Sequence, residues 1–257
     1  MGRVTFLGTA AALPLLGRAN TSMVVTANGA TTSLLIDCGG DTYSALLRAG
    51  FGPDAIGDLL ITHAHIDHIG ALPSLVESLR LGGRTAPLRV WGLPAVVEVA
   101  QRLIGVYDFE LTLDTWTFPV SFHSIESSQR MMLAGMEALV VAMDHSVPSI
   151  GLRLELSDGA LAYTCDTQPT PRILELGRGA RTLITECTYL HAGEPAARAS
   201  RHLTALEAGQ QAAACGVERL VLVHLGGDKV IGGAAAEAGR VFSGSIVIPN
   251  DGDVLTL

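Results

Sequence analysis

The chain has 257 residues, of which 48% are hydrophobic, and its 17 basic and 25 acidic residues give a formal net charge of −8. A chain of this length and apolar content can bury a large core. Its apolar runs are short and none approaches the roughly 20 residues that cross a bilayer, so the sequence excludes a membrane span, and the acidic balance excludes a general nucleic-acid-binding surface.

The first half of the chain predicts strands, followed by alternating strands and helices. VTFL near the N-terminus, followed by Gly-Thr, favours a first strand and turn over a secretory signal. Asn28-Gly29 is the pair that type I′ turns prefer, and it predicts a hairpin between strands at 23–26 and 32–37. The apolar spacing then predicts helices over 42–49, 69–81 and 94–104, and strands over 58–62 and 88–91.

The second half repeats this order of events. Strands are predicted across 116–164, with a tight turn at Ser157-Asp158-Gly159, and Thr204 has capping-box spacing to Glu207 at the start of a helix. The remaining elements are helices over 171–176, 204–215 and 234–242, strands over 182–186 and 219–223, and a last pair of strands. No linker or shift in composition divides the chain, so we expect a single domain over residues 1–257, with two β-sheets packed face to face and helices outside.

The cysteines bear on the compartment. The chain has four of them, far apart and without a C-x-x-C pair: Cys38, Cys165, Cys187 and Cys215. This spacing suits small buried thiols in a reducing environment better than a disulfide framework. We therefore expect a cytoplasmic protein.

The most informative stretch is ITHAHIDHIG at residues 61–70. In an extended segment, residues two apart point to the same side, so His63 and His65 can offer their rings to one ion. Asp67 and His68 follow where the predicted strand ends and can serve a second ion nearby. Imidazole and carboxylate ligands without thiolates in range favour zinc, with manganese or iron as alternatives. A solvated polar loop is disfavoured, because four ligand-type side chains at this spacing rarely occur by chance.

Three further ligand-type residues stand at the ends of predicted strands. His145 follows ALVVAMD, Asp166 follows ALAYTC, and His224 follows RLVLV. Each alone would be interpreted as a hydrogen-bonded structural residue. Together they provide the ligands that a two-ion site still lacks, and we expect them to meet the histidine motif along one edge of the sheets.

These motifs carry a resemblance to a known family. ITHAHIDH, with HSVPS at 145–149, CDT at 165–167 and VHL at 223–225, resembles the metallo-β-lactamase superfamily and, within it, the ribonuclease Z-like branch. The resemblance spans nearly the whole chain, since FLGTAAALP, LLIDCG and HLTALEAGQQAAACGVERLVLVHL also resemble segments of that branch. It implies an α/β fold, a four-layer αββα sandwich, and a dinuclear site. The ligand sets implied are His63, His65 and His145 for one metal, Asp67, His68 and His224 for the other, and Asp166 bridging both.

The charge of such a site points to a substrate class. Five neutral imidazoles and two carboxylates around two divalent ions leave a net positive charge, which suits a hydroxide between the ions and a phosphodiester anion. His202 is the candidate that protonates the leaving group, and the resemblance implies that Glu186 is paired with it; such a carboxylate raises the pKa of the imidazole and fixes its tautomer. Asp67 is a candidate to orient the hydroxide or to act as its base. Candidates for phosphate contacts are Arg198 and Arg201. His123 and His191 match no motif.

The chain departs from the long bacterial ribonuclease Z in one place. The arm that grips transfer RNA in those proteins is replaced here by the turn at Ser157-Asp158-Gly159. With the acidic balance, this favours a small phosphodiester, such as a cyclic nucleotide or short oligonucleotide, over transfer RNA. Three alternatives stay open: transfer-RNA processing by a homodimer that shares an arm, hydrolysis of a lactone, thioester or sulfate ester at the same metals, and non-catalytic binding of a metal or small molecule.

Overall fold

The computed structural model describes residues 1–107 and 117–257. In these two ranges, fourteen strands form two seven-stranded sheets, and there are eight α-helices, most of which cover the outer faces of the sheets. The result is the four-layer αββα sandwich that the sequence predicted. Trp116, where the predicted strand region begins, lies outside the described residues.

The first sheet comes mainly from the first half of the chain. Its strands are β1 (Arg3–Gly8), β2 (Ser22–Thr26), β3 (Ser33–Ile36), β4 (Ile56–Leu60), β5 (Leu88–Gly92), β6 (Val120–Ser124) and β14 (Val254–Thr256), in the order β14-β1-β2-β3-β4-β5-β6. The predicted hairpin is present, with Met23 of β2 opposite Ile36 of β3 in an antiparallel pair. From β3 to β6 the strands are parallel, so their carboxyl ends share one edge.

The second sheet comes from the second half. Its strands are β7 (Arg130–Leu133), β8 (Met136–Met143), β9 (Ser149–Glu155), β10 (Leu161–Tyr163), β11 (Thr182–Cys187), β12 (Arg219–Leu225) and β13 (Ser245–Val247), in the order β13-β12-β11-β10-β9-β8-β7. From β10 to β13 the strands are parallel. The carboxyl ends of β10 to β13 therefore share one edge of the second sheet.

The predicted last strand pair is wrong, because its two strands belong to different sheets. β13 pairs with β12 in the second sheet, whereas β14 pairs with β1 in the first. The turn before β14 is held at the free edge of β1, where Gly252 donates to the Phe6 carbonyl and Phe6 donates to the Asp253 carbonyl. Pairing with β1, which is distant in sequence, therefore decides the position of the last strand, and the local sequence pattern does not.

The helices lie outside the sheets. They are α1 (Thr42–Arg48), α2 (Ile66–Ile69), α3 (Leu72–Leu81), α4 (Pro94–Gly105), α5 (Arg172–Gly177), α6 (Glu194–Ser200), α7 (Ala205–Cys215) and α8 (Asp228–Ala238). The predicted capping box of α7 is confirmed, since Thr204 accepts from the Glu207 N–H and the Glu207 carboxylate accepts from Thr204. The predicted helix over 69–81 is two helices, α2 and α3, and α6 was not predicted.

Three apolar clusters hold the layers together. One lies between the sheets, and its members include Phe6, Met23, Val140, Tyr163 and Val223. The other two join the first sheet to α1, α3 and α4, and the second sheet to α5, α7 and α8. Burial on both faces explains why the central strands are apolar almost without interruption. Among the described helices, none combines the length and apolar character needed to cross a bilayer.

Candidate metal centre

Four predicted ligands form a first donor cluster where the sheets meet. His63 and His65 follow β4, His145 follows β8, and Asp166 follows β10, and each offers a ligand atom within 4.8 Å of the others. His63 Nε2 and His145 Nε2 lie 3.0 and 3.2 Å from His65 Nδ1. We call this set the first cluster.

The second cluster consists of Asp67, His68, Asp166 and His224. His68 Nε2 lies 3.4 Å from Asp166 Oδ2, and His224 Nε2 lies 3.1 Å from the same oxygen. Asp67 Oδ2 lies 3.3 Å from His68 Nε2 and 3.4 Å from His224 Nε2. Asp166 belongs to both clusters, so the structure brings all seven predicted ligands together around one shared carboxylate.

Hydrogen bonds fix which ring nitrogens of the first cluster carry protons. The Arg201 carbonyl can only accept, so His145 Nδ1, 3.1 Å away, carries the proton in the neutral ring. The Thr62 hydroxyl donates its proton to Asp37 Oδ1. Towards His63 Nδ1 it can then only accept, so that nitrogen carries a proton. The Nε2 lone pairs of both histidines then converge on His65. Converging lone pairs are the arrangement that a cation satisfies.

Two orphaned atoms support a cation in the second cluster. His68 Nε2 and Asp166 Oδ1 are buried, and within residues 1–107 and 117–257 neither has a partner that meets hydrogen-bond geometry. An unpaired buried polar atom costs about 1–3 kcal/mol, so such atoms are rare unless a ligand satisfies them. Imidazole nitrogens and carboxylate oxygens are donors that suit zinc, manganese and iron. The residues of both clusters therefore fit divalent cations.

The backbone around the clusters adopts sparsely populated conformations. In the described residues, six non-glycine residues have positive φ, and four of them border the clusters: Asp37 (61°), Cys165 (56°), Arg201 (57°) and His224 (54°). Such residues persist only where the surrounding structure holds them. His224 was predicted to follow its strand. It lies inside β12 instead, and its left-handed turn directs the ring out of the regular strand pattern.

Close backbone contacts fix the loops that carry the ligands. A Cβ on Gly39 would lie 1.6 Å from the Asp67 carbonyl oxygen, and one on Gly226 would lie 2.0 Å from the Thr188 carbonyl oxygen. Only glycine permits these approaches. Cys38 N–H also donates to the His68 carbonyl at 2.8 Å, so the loop after β3 and the helix α2 are held as one unit.

Asp37 and Thr62 were missed in the sequence, and both contact the ligands. Asp37 Oδ2 lies 2.8 Å from His68 Nδ1, and Asp37 Oδ1 accepts from the Thr62 N–H at 2.8 Å. The Thr62 hydroxyl lies 3.2 Å from His63 Nδ1. These contacts orient one histidine of each cluster. One signal existed, since Asp37 follows the buried β3 just as the predicted ligands follow their strands.

The carboxylates raise the pKa of His68 in the metal-free protein. Burial alone lowers the pKa of His68, but Asp166 and Asp37 outweigh it and raise the pKa well above its usual value. Burial raises the pKa of Asp67, but the adjacent His224 and His68 rings outweigh this and hold the pKa well below its usual value. The pKa of Asp166 is likewise lowered, because His224 and His68 outweigh the effect of burial. In the metal-free protein, a proton on His68 therefore occupies the nitrogen that would otherwise bind a cation.

The histidines of the first cluster behave differently. Burial lowers the pKa of His63, with His68 adding to the effect, and burial also lowers the pKa of His65 and of His145. These rings are neutral near pH 7 and have lone pairs available. The two clusters therefore differ in whether a proton must leave before a cation binds.

His202 and Glu186 form the predicted pair beside the clusters. His202 Nδ1 lies 2.8 Å from Glu186 Oε1, and Glu186 is 1% exposed. The His202 ring centroid lies 5.3 Å from that of His224 and 4.9 Å from that of His145. Burial lowers the pKa of His202, but Glu186 outweighs it and raises the pKa to about 9.

A cavity of about 390 Å³ opens onto both clusters and the His202 ring. Its lining is Ala12, His65, Ile66, Asp67, His145, Ser146, Asp166, Ser200, His202 and His224. Ile66 is 81% exposed at its mouth and also lines a neighbouring cavity of about 320 Å³. The Ile66 side chain is therefore an exposed apolar part of the wall of both cavities.

Two arginines considered for phosphate contacts are engaged with other groups. Arg198 Nη2 donates to Glu207 Oε2 at 2.7 Å and to the His202 carbonyl at 2.9 Å. Arg201 Nη1 donates to Asp144 Oδ1 and to the His145 carbonyl, both at 3.1 Å. Both guanidinium groups support the loops that hold His145 and His202.

The two histidines that match no motif belong to neither cluster. His123 stacks on Trp91 with ring centroids 4.3 Å apart. His191 begins a short 3₁₀ turn before α6, and its backbone N–H donates to Glu237 Oε2 at 2.8 Å. Neither is among the donor groups found in the described residues.

Two adjoining donor clusters, set between the carboxyl ends of two facing sheets in an αββα sandwich, define a hydrolase of the metallo-β-lactamase fold. Comparison with known proteins agrees with this class. Residues 32–225 match the family described as the Beta-lactamase superfamily domain, and the chain belongs to that superfamily.

Relatives place the chain near one branch. It is 29% identical over 268 residues to a ribonuclease Z from Methanothermobacter thermautotrophicus, covering 88% of this chain and 87% of the relative. Among solved structures, it is similar to the metallo-β-lactamase fold protein YhfI from Bacillus subtilis (TM-score 0.86, 24% identity, all of both chains). It is also similar to the human short-form tRNase Z (TM-score 0.79, 22% identity, 99% of this chain and 98% of that one). At these identities the structures establish the fold alone.

Proposed function

We propose that the protein is a dinuclear metal-dependent phosphodiesterase of the cytoplasm that acts on a small phosphodiester. The observation that carries the proposal is the position of the His202–Glu186 pair, beside two donor clusters that share Asp166. A site that only stores metal has no need of a protonated imidazole held by a buried carboxylate at the wall of the same cavity. Four buried free cysteines fit a reducing cytoplasm.

We assign each cluster one divalent cation, zinc first, with manganese or iron as alternatives. The first would be held by His63, His65 and His145, the second by Asp67, His68 and His224, and both by Asp166. Cations bound there lower the pKa of water and polarise phosphoryl oxygens. Asp67 keeps a low pKa and stays a hydrogen-bond acceptor, so it is suited to orient the attacking water.

His202 is assigned the proton for the leaving oxygen. Its Nδ1 is hydrogen bonded to Glu186, which leaves Nε2 free for a group in the cavity. Glu186 also offsets the positive charge of the neighbouring cations and so keeps a proton on His202 near neutral pH. A general acid of this kind contributes typically 10²–10⁴-fold to the rate.

Charge supports a small substrate with one phosphate. Among the described residues, the lining of the cavity includes no lysine or arginine, and Arg198 and Arg201 are paired with Glu207 and Asp144. Binding a folded RNA depends on neutralising many phosphates. The connection from β9 to β10 is a short turn rather than an arm. Two cations and a protonated His202 provide enough positive charge to bind one phosphodiester anion.

A ribonuclease acting on transfer RNA is the second candidate, favoured by the similarity to proteins named ribonuclease Z. This candidate requires RNA contacts from elsewhere, such as a second copy of the chain in a homodimer. Gel-shift assays with precursor transfer RNA at several salt concentrations separate the two functions. We expect no salt-dependent complex at submicromolar protein concentrations, and a steep salt dependence would favour the ribonuclease.

The decisive experiment combines metal analysis with a substrate panel. We expect two cations per chain and, with zinc or manganese, turnover of bis(p-nitrophenyl) phosphate and of cyclic nucleotides. His202→Ala should lower kcat about 10²–10⁴-fold for diesters with poor leaving groups, whereas His191→Ala, the matched control, should not. Metal-loaded protein that cleaves lactones or thioesters but no phosphodiester refutes the proposal, and a protein inactive on the whole panel favours a binding role.

A further inference from the structure

Thr188 lies directly after β11 (Thr182–Cys187), between the second cluster and the His202–Glu186 pair. It is 9% exposed. Its hydroxyl oxygen is 2.7 Å from Glu186 Oε2 and 2.8 Å from His224 Nδ1. One hydroxyl therefore touches both a metal-ligand candidate and the carboxylate that holds the general acid.

The direction of each hydrogen bond follows from the groups involved. The Thr188 hydroxyl lies 2.7 Å from Glu186 Oε2 and 3.3 Å from the His224 carbonyl, and its single proton goes to the closer, charged acceptor, Glu186. Towards His224 the hydroxyl can then only accept, which places a proton on His224 Nδ1. The remaining nitrogen, Nε2, keeps its lone pair and lies 3.1 Å from the shared Asp166 oxygen. Thr188 thereby selects the tautomer that can bind a cation.

The other oxygen of Glu186 completes a chain of hydrogen bonds. Glu186 Oε1 accepts from the Thr167 N–H and lies 2.8 Å from His202 Nδ1. The groups in order are His224, Thr188, Glu186 and His202, and the Thr188 oxygen also lies 3.3 Å from His202 Nδ1. His224 and Glu186 are 2% and 1% exposed, so both partners of the Thr188 hydroxyl are buried.

The backbone of Thr188 is held in place for this role. Its carbonyl lies so close to Gly226 that a Cβ there would be 2.0 Å away. The next residue, Tyr189, donates to the Leu203 carbonyl and accepts from the Ala205 N–H, which ties the segment to the residues that flank His202. The hydroxyl is therefore fixed relative to both partners.

We propose that Thr188 is a positioning residue that couples cation binding at His224 to the orientation of the Glu186–His202 pair. The catalytic part of this inference rests on the proposed function, whereas the part that concerns cation binding does not. Removing the hydroxyl leaves two buried groups unpaired, His224 Nδ1–H and Glu186 Oε2, so both properties change together.

The test compares Thr188→Val, which keeps the shape and removes the hydroxyl, with Thr188→Ser, which keeps the hydroxyl. Zinc affinity is measured by chelator competition, and kcat and KM are measured for one diester with a good leaving group and one with a poor one. For Thr188→Val we expect one of the two cations to bind about 10–100-fold more weakly. At saturating metal, kcat should fall by a larger factor for the poor leaving group, with KM little changed. Thr188→Ser should restore both properties.

Thr185→Val is the matched control. Thr185 lies within β11, the strand that Thr188 follows, and it is fully buried, with its hydroxyl 3.0 Å from the Thr164 hydroxyl rather than from a member of either cluster. It should lower stability without changing zinc affinity. If Thr188→Val does not fold, Thr188→Ala replaces it in the same comparison with Thr188→Ser.

The outcomes separate this inference from the proposed function. Wild-type zinc affinity in Thr188→Val, or equally weakened binding in Thr188→Val and Thr188→Ser, overturns the positioning role. Weakened zinc binding with the same fractional decrease of kcat for both leaving groups overturns the coupling to His202. If the wild-type protein cleaves no phosphodiester, the proposed function fails, and the zinc measurements still decide whether Thr188 orients His224.

Discussion

Cation binding at the second cluster should release a proton, because His68 is protonated in the metal-free protein near pH 7. Asp166 and Asp37 raise its pKa well above the usual value, and a cation needs the nitrogen that this proton occupies. The first cluster has no such proton, since the pKa values of its histidines are lowered. One cation should therefore bind with release of about one proton and the other with release of almost none.

The size and sign of the effect follow directly. Each proton released makes the affinity rise tenfold per pH unit, or about 1.4 kcal/mol per unit. Zinc binding at the second cluster should therefore strengthen as the pH rises from 6.5 to 8, up to the raised pKa of His68. Binding at the first cluster should be flat over this range. Because Asp67 and Asp166 have lowered pKa values, they stay ionised and add no slope.

Isothermal titration calorimetry at pH 7 in buffers with different ionisation enthalpies counts the protons released for each cation. Asp37→Asn removes one of the two charges that raise the pKa of His68. Proton release should fall without vanishing, because Asp166 is the larger cause, and affinity above pH 8 should drop about 10–100-fold. Asp58→Asn is the control, since Asp58 is a buried carboxylate paired with Arg89 instead. Equal proton release at both clusters, or none at either, would refute this reasoning.

Three further predictions concern single residues. Gly39→Ala should displace the Asp67 carbonyl and weaken binding of one cation in a chelator assay, whereas Gly52→Ala, where a Cβ meets nothing within 4 Å, should not. Thr204→Ala removes the capping box of α7 and should destabilise the protein by about 1 kcal/mol, seen as a Tm lower by about 2–4 °C in thermal unfolding. Ile66→Glu places a negative charge at the cavity mouth and should raise KM for a phosphodiester by up to about fivefold at low salt, with kcat little changed and the effect absent near 1 M salt.

The sequence contained most of the candidate site because its chemistry is local. His63 and His65 are two residues apart in an extended segment, and His145 and Asp166 each follow an apolar run, so periodicity and strand ends were enough to find them. Asp37 and Thr62 were missed for the opposite reason. Asp37 reaches His68 and Thr62 across 31 and 25 residues of the chain, and only the position of Asp37 after β3 gave a local signal.

The predicted fold differs from the observed one at α8 and at the last two strands. The helix predicted over 234–242 starts too late, since α8 begins at Asp228 and includes Gly232 and Gly233. Glycine has a low helix propensity, but Gly233 lies where the helix packs closely, since a Cβ there would be 3.0 Å from Leu190. The last two strands were paired because they are neighbours in sequence, whereas the open edges of β1 and β12 decide their positions.

That residues 1–257 form a single domain, and that the protein forms a homodimer, stay predictions. Neither depends on the assignments made to the two clusters.

Both donor clusters draw on the two sheets, since the motif after β4 belongs to the first and His145, Asp166 and His224 belong to the second. Cation binding is therefore thermodynamically linked to the packing of the two sheets against each other. Each ion present at 100 times its Kd adds about 2.7 kcal/mol to the free energy of unfolding. A strong chelator should thus act on this protein as mild denaturant does, because removal of the cations lowers the free energy of unfolding.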